Sequence, residues 1–333
     1  MTTLFITHDT GVLGKRGSAL SWGERGGSKN VYPTATVDEV VVLGNGSVST
    51  QAIRMLLEED IPLHYVSTSG RYMGSLTSGQ NRGRELRKKQ EEAAASLEKT
   101  LAVARGVVVG KILNQRKNLI RATYRKRNTT LVQQAIARLE QNASQAGSEN
   151  DLEALRGIEG IAAAAYFYAF EDMLASGWTF KGRNRRPPKD PVNAMLSFAY
   201  TLLLSNVVTA VLANRLDPLV GFLHPEYRGR PSAALDLMEE FRPSVSDRVV
   251  IALINQGMVA PGDFESDGNG GVKMNPKARR VLVEAHNARL ASSSSSETTE
   301  HSLPYRRRIH SQAESLARAI WHESDYIPFV AKK

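Results

Sequence analysis

Around Arg84 the chain changes its hydrophobic period, and this limits the fold more than any bulk property. Upstream, apolar residues sit in short β-branched runs broken by glycine. Downstream, ELRKKQEEAAASLEKTLAVARGVVVGKILNQRKNLIRATYRKR is built from strong helix formers with helical spacing. The expected fold is therefore α+β: a small N-terminal β-rich domain over residues 1–82, then a larger all-α domain over 83–333. In the first part, LFITHDTGVLGKRGSALSW reads as two strands joined by glycine turns. VDEVVVLGNG reads as a strand ending in a Gly44-Asn45-Gly46 turn. Ser49 or Thr50 can cap a short helix with Ile53, Leu56 and Leu57 on its apolar face, and PLHYVSTSGRYMGSL gives two more short strands. In the second part, helices are expected over 84–127, 151–176, 190–215, 232–256, 274–290 and about 304–322. ASSSSSETTE reads as a low-complexity surface loop.

Charge is as unevenly distributed as periodicity. The chain of 333 residues carries a net +9. Residues 82–127 hold 14 Lys and Arg against 4 Asp and Glu, a net of +10, while residues 1–81 net −1 and 128–333 net zero. Either this segment meets a polyanion or it is a solvated helix face. Lys117, Arg121 and Arg125 recur every four residues and share one face. TFKGRNRRPPKDPVNAM is an Arg/Pro-rich break between helices, where Asp190 or Asn193 caps the next one. Its arginines either clamp phosphates or lie in a plain exposed connection.

With no cysteine, disulfides, thiol chemistry and cysteine-type zinc sites are excluded, and a reducing cytoplasm is the fitting compartment. MTTLFITHDT lacks the features of a signal peptide, and the apolar runs read as too short or too interrupted to span a bilayer. No GxxxxGK[ST], HExxH or strand-borne GxGxxG occurs.

Three places offer hard-metal ligands. Glu159 lies among Gly157, Gly160 and a run of alanines, where an unpaired carboxylate is costly to bury; alternatively it sits at a helix start and meets the dipole. His224 follows an apolar run in GFLHPEYRGR, and a lone histidine is also a common structural residue. In ALDLMEE, Asp236 and Glu239 share a helix face, whereas Glu240 reads as solvent-facing. Carboxylates with one imidazole suit Mg²⁺ or Mn²⁺. With a basic helix, they suggest phosphodiester chemistry. The remaining histidines read as structural or surface residues.

These blocks resemble, in order and over nearly the whole chain, the CRISPR-associated adaptation endonuclease and integrase family. The resemblance is carried by TLFITHDTGVLGKRG, GIEGIAAAAYF, RRPPKDPVNAMLSFAYTLL, GFLHPEYRGRPSAALDLMEEFRPSVSDRVV and INQGMVAPGDF. It implies metal ligation by Glu159, His224 and Glu239, with Asp236 as a further acidic group supporting the catalytic site. It implies metal-dependent cleavage and transesterification, in which a spacer-precursor 3′-hydroxyl attacks a repeat phosphodiester. It also implies a homodimer formed through the N-terminal region, binding of double-stranded and branched DNA, and assembly with a small CRISPR-associated partner of nuclease-like fold. DNA-backbone contacts are expected from Lys111, Lys117, Arg121, Arg125, Arg183, Arg185, Arg186, Arg228 and Arg230. The competing expectation is a scaffold subunit that keeps the fold without the chemistry.

Overall fold

A computed structural model describes residues 3–6, 11–24, 29–67, 72–78, 83–124, 129–184, 187–227, 229–293 and 303–331. The chain divides into two units, residues 1–82 and 83–333.

The first unit contains two four-stranded sheets. Strands β1 (Thr3–Ile6), β2 (Gly11–Arg16), β3 (Ala19–Glu24), β4 (Lys29–Pro33), β5 (Glu39–Leu43) and β6 (Ser47–Val48) precede helix α1 (Thr50–Glu58). Strands β7 (Leu63–Val66) and β8 (Tyr72–Leu76) follow it. One sheet runs β1-β5-β7-β8, parallel except for β8; the other runs β4-β3-β2-β6. The first stretch thus holds three strands rather than two, because the segment before Gly11 pairs with distant β5 and not with its neighbour. Val40, Val41 and Val42 are all fully buried, as a central parallel strand requires. Ser49 caps α1, accepting from the Ala52 amide at 3.2 Å. The helix buries Ala52, Met55 and Leu56, and Ile53 packs beside them. His64 is structural: its ring contacts Ser75 Oγ at 2.6 Å and Glu39 at 3.6 Å, and burial pulls its pKa down against the opposing charge of Glu39.

The second unit begins with α2 (Arg84–Ala95) and α3 (Leu97–Thr123). Ser96 separates them and caps α3. Helix α4 (Thr130–Ser148) falls where no helix was expected, and α5 (Leu152–Tyr168) stops short of its expected end. Next come α6 (Pro191–Ala213), capped by Asp190, then α7 (Ser232–Phe241) and α8 (Arg248–Asn255). A π-turn over Pro243–Asp247 joins α7 to α8, with the Asp247 amide donating to Arg242 O five residues back. Strands β9 (Phe264–Ser266) and β10 (Val272–Met274) form a hairpin, so this unit is not purely α. Helices α9 (Pro276–Ala291) and α10 (Tyr305–His322) complete it.

Helix α6 corrects the expectation that no apolar run could span a bilayer. It is long and apolar enough to do so, with mean hydropathy 1.8 over a window that is 78% buried inside the protein. The reason is its central place: α7, α9 and α10 all pack on it, so it is apolar on every side.

Glu240 is not solvent-facing. It is fully buried and accepts from Tyr326 Oη and from the Phe329 amide. The C-terminal segment lies over α7 here, with Phe329 stacked on Phe241 at 4.7 Å. Gly110 of α3 permits this, since a Cβ there would stand 2.8 Å from Pro328 Cβ. Burial pushes the Glu240 pKa up to about 8, although both donors oppose the rise.

The π-turn aims Asp247 at two buried phenols: Tyr166 Oη donates at 3.0 Å and Tyr200 Oη at 2.6 Å. Burial raises the Asp247 pKa to about 6, against the phenols and Arg242. An acid whose folded value exceeds its unfolded value holds its proton more tightly when folded. Its contribution to stability therefore falls as pH rises from about 4 to about 6 and is level above that. The wild-type stability advantage over Asp247→Asn is expected to shrink by roughly 1 kcal/mol per pH unit across that window. Urea unfolding at several pH values measures it, and a constant difference contradicts the assignment.

Candidate metal centre

Four elements meet at one point. Helix α5 supplies Glu159, α3 supplies Lys111, the loop after α6 supplies His224, and α7 supplies Asp236 and Glu239. The loop is drawn onto α7 by Gly221, where a Cβ would stand 2.7 Å from the Ser232 carbonyl carbon. Asp236, at 1% exposure, then fixes the loop. Its Oδ2 accepts from the amides of Phe222 (2.6 Å) and Leu223 (2.9 Å), and its Oδ1 from the His224 amide (3.0 Å). The same Oδ1 lies 2.7 Å from His224 Nδ1. With Nδ1 directed at the Asp236 carboxylate, Nε2 is the ring nitrogen that faces the glutamates, 3.8 Å from Glu239 Oε1.

The two glutamates converge on one cation. Lys111 Nζ contacts Glu159 Oε1 and lies 2.6 Å from Glu239 Oε2. That second contact is an ion pair without hydrogen-bond geometry, so Oε2 is buried with no hydrogen bond. Arg242 Nη2 stands 3.3 Å from Glu239 Oε1, and its guanidinium rests over the Tyr200 ring at 4.7 Å. Burial pushes the Glu239 pKa up, but Arg242, Lys111 and His224 together outweigh it and hold the carboxyl well below the usual range. Among the described residues no group of three or more His, Asp or Glu side chains is arranged to hold a metal ion as it stands; the Lys111 ammonium lies between the glutamates. The donor set nevertheless fits a hard divalent ion: two carboxylates and one imidazole nitrogen.

The expected DNA contacts fare unevenly. Lys111 is 5% exposed and belongs to the carboxylate cluster, not to the surface. The signal was available: it falls on the apolar stripe of α3, between Val107, Val108 and Ile112. Arg183 is tied to the start of α6, donating to Asn193 Oδ1 at 2.6 Å and Ser197 Oγ at 3.0 Å, with Tyr200 under its guanidinium. Lys117, Arg121 and Arg230 are half-buried. Arg125, Arg185, Arg186 and Arg228 lie outside the described residues. Arg242, which sequence reasoning missed, follows the last residue of α7, three positions beyond Glu239.

The family model described as CRISPR associated protein Cas1 matches residues 4–288. The chain belongs to the Cas1 family. A relative from Thermus thermophilus, named CRISPR-associated endonuclease Cas1 3, is 35% identical over 99% of this chain and 97% of its own length. Among solved structures, a casposase bound to integration product shares the fold with a TM-score of 0.86 at 21% identity, covering all of this chain and 95% of that one. A chain of a structure titled Cas6-RT-Cas1–Cas2 complex superposes over 36% of its own length and all of this chain, with a TM-score of 0.85 at 25% identity. The mixed architecture of two N-terminal sheets and a helical second unit makes the chain α+β, and the solved neighbours share this fold.

Proposed function

We propose that this Cas1-family protein is a metal-dependent DNA endonuclease and integrase of CRISPR adaptation, and that Glu159, His224 and Glu239 hold its Mg²⁺ or Mn²⁺. One observation carries the ligand assignment: carboxylates from α5 and α7 converge on a single point, the Lys111 ammonium, beside His224 Nε2. When bound, a divalent ion there polarises a phosphate oxygen and stabilises charge as it develops.

The chain's own groups do the rest. Asp236 holds the His224 ring in the tautomer that offers Nε2 outward. Arg242 and the low pKa of Glu239 keep that carboxylate ionised as a ligand. The reaction is transesterification. The 3′-hydroxyl oxygen of a spacer-precursor strand bonds to a phosphorus of the repeat, the bond to the outgoing 3′-oxygen breaks, and the number of phosphodiesters is unchanged. No covalent protein intermediate is needed.

The DNA is double-stranded or branched, and the small Cas2 protein named in a related complex is the partner that suits this reading. The compartment is the cytoplasm. A supercoiled plasmid bearing a CRISPR repeat tests the function, incubated with the chain, a Cas2 partner and labelled spacer precursor. Metal-dependent joining of label to plasmid is expected. No joining with any divalent ion, or joining undiminished by EDTA, contradicts it and leaves a scaffold role.

Lys117 and Arg121 of α3, with Arg125, carry backbone affinity in this reading. Arg121 also adds to the positive field at Arg289, whose pKa is lowered first by burial and then by that neighbour. Replacing the three together is expected to weaken binding to unrelated DNA sequences about equally. It should flatten the slope of log K against log salt by up to about 0.9 for each phosphate no longer neutralised. An unchanged slope in a fluorescence-anisotropy titration contradicts the assignment.

The homodimer of this reading forms through residues 1–82. Strand β4 is an edge of its sheet, with Val31 44% exposed, and such edges favour pairing or cover. Sedimentation is expected to show a dimer for the whole chain and a monomer for one starting near Gly83. A stable dimer of the shortened chain contradicts it.

A further inference from the structure

Lys111 stands where a metal would stand. Its side chain is 6% exposed, on the buried stripe of a helix of 27 residues, and its ammonium meets one carboxylate from α5 and one from α7. Two carboxylates meeting at one point, Glu239 buried and Glu159 27% exposed, repel unless a cation lies between them. Arg242 serves Glu239 on its other oxygen, and its guanidinium is held by the Tyr200 ring. Among the described residues, Lys111 is the cation that reaches Glu159.

We propose that Lys111 is an exchangeable internal cation: its ammonium holds the Glu159–Glu239 pair together in the metal-free protein and gives up that position when the divalent ion enters. The inference rests on the ligand assignment above. A divalent ion takes carboxylate oxygens at about 2.0–2.6 Å. The ammonium already lies 2.6 Å from Glu239 Oε2. Both cations cannot share that volume, and their charges repel. Lysine suits the exchange because it carries a compact charge on a flexible four-carbon stem, whereas a planar guanidinium is less free to turn aside.

The fold also offers the displaced ammonium an acceptor. One turn further along α3, Gln115 is 2% exposed and its Oε1 is buried without a hydrogen bond. Residues four apart on a helix are neighbours at roughly 5–6 Å between Cβ atoms, within reach of a lysine that changes rotamer. Metal entry thus leaves no stranded charge: the divalent ion satisfies the two glutamates, and the ammonium turns to an amide oxygen that lacked a donor. Metal affinity is then set by a competition within the chain.

Calorimetric titration of the full chain with Mn²⁺, without DNA, tests this. Lys111→Met is expected to bind Mn²⁺ at least about ten-fold more tightly than wild type, and its melting temperature should rise more on adding Mn²⁺. Glu239→Gln is expected to bind more weakly. If Lys111→Met does not fold without metal, Lys111→Gln, which retains a hydrogen-bond donor but not the charge, carries the comparison. A loss of affinity in Glu239→Gln without any gain in either Lys111 variant overturns the exchange and leaves the ligand assignment standing. Unchanged affinity in Glu239→Gln overturns the ligand assignment, and the exchange with it.

Discussion

Glu239→Ala is expected to abolish metal-dependent cleavage and joining of DNA while the protein still folds. The carboxylate is one of two that converge on the candidate metal position, and its side chain is 3% exposed. Loss of several kcal/mol of charge stabilisation corresponds to about a thousand-fold or more in rate. Folding survives because the change leaves neither cation stranded: Lys111 keeps Glu159, and Arg242 keeps the Tyr200 ring. Circular dichroism and a gel-based nuclease assay on the purified variant separate the two effects. A folded variant with full activity removes Glu239 from the site.

Asp236→Ala is expected to lose both stability and activity, for a different reason. The carboxylate accepts three successive main-chain amides, of Phe222, Leu223 and His224, and also contacts the His224 ring. A buried donor left without an acceptor costs about 1–3 kcal/mol, so three give on the order of 3 kcal/mol or more. In a chain of this size that lowers the melting temperature by roughly 5–10 °C. His224 also loses the partner that sets its tautomer and orientation, which typically weakens metal affinity or activity by about 10–100-fold. A thermal melt and a Mn²⁺ titration read the two losses separately. An unchanged melting temperature would show that the loop is held by other contacts.

Much of the molecule is legible from residue types and periods. The switch near Arg84 coincides with the division between the two units, because β-branched runs and helix formers differ at every position. Glu159, Asp236 and Glu239 stand out as carboxylates in helical segments and His224 as an imidazole after an apolar run, and the four lie within one cluster. Helix α4 escapes a periodicity reading because half of its buried face is small, Ala135, Ala143 and Ala146, alongside Val132, Leu139 and Asn142. Alanine contributes little to a hydrophobic period, and the intervening glutamines hide the rest. Glu240 is misplaced by a helix-face argument because that argument sees only one helix. The C-terminal segment that covers its other side comes from some 90 positions along the chain. Lys111 reads as surface charge for the same reason. Its place on the apolar stripe beside Val107, Val108 and Ile112 hints at burial, but the carboxylates that pair with it come from other elements.

One centre built from Glu159, His224 and Glu239 underlies both the proposed reaction and the cation exchange, and anomalous diffraction from crystals grown with Mn²⁺ tests it most directly. The expected result is an ion bound by both glutamate carboxylates and by His224 Nε2, at about 2.0–2.6 Å from each. An ion bound elsewhere in the second unit, with the Lys111 ammonium still between the two glutamates, would contradict it.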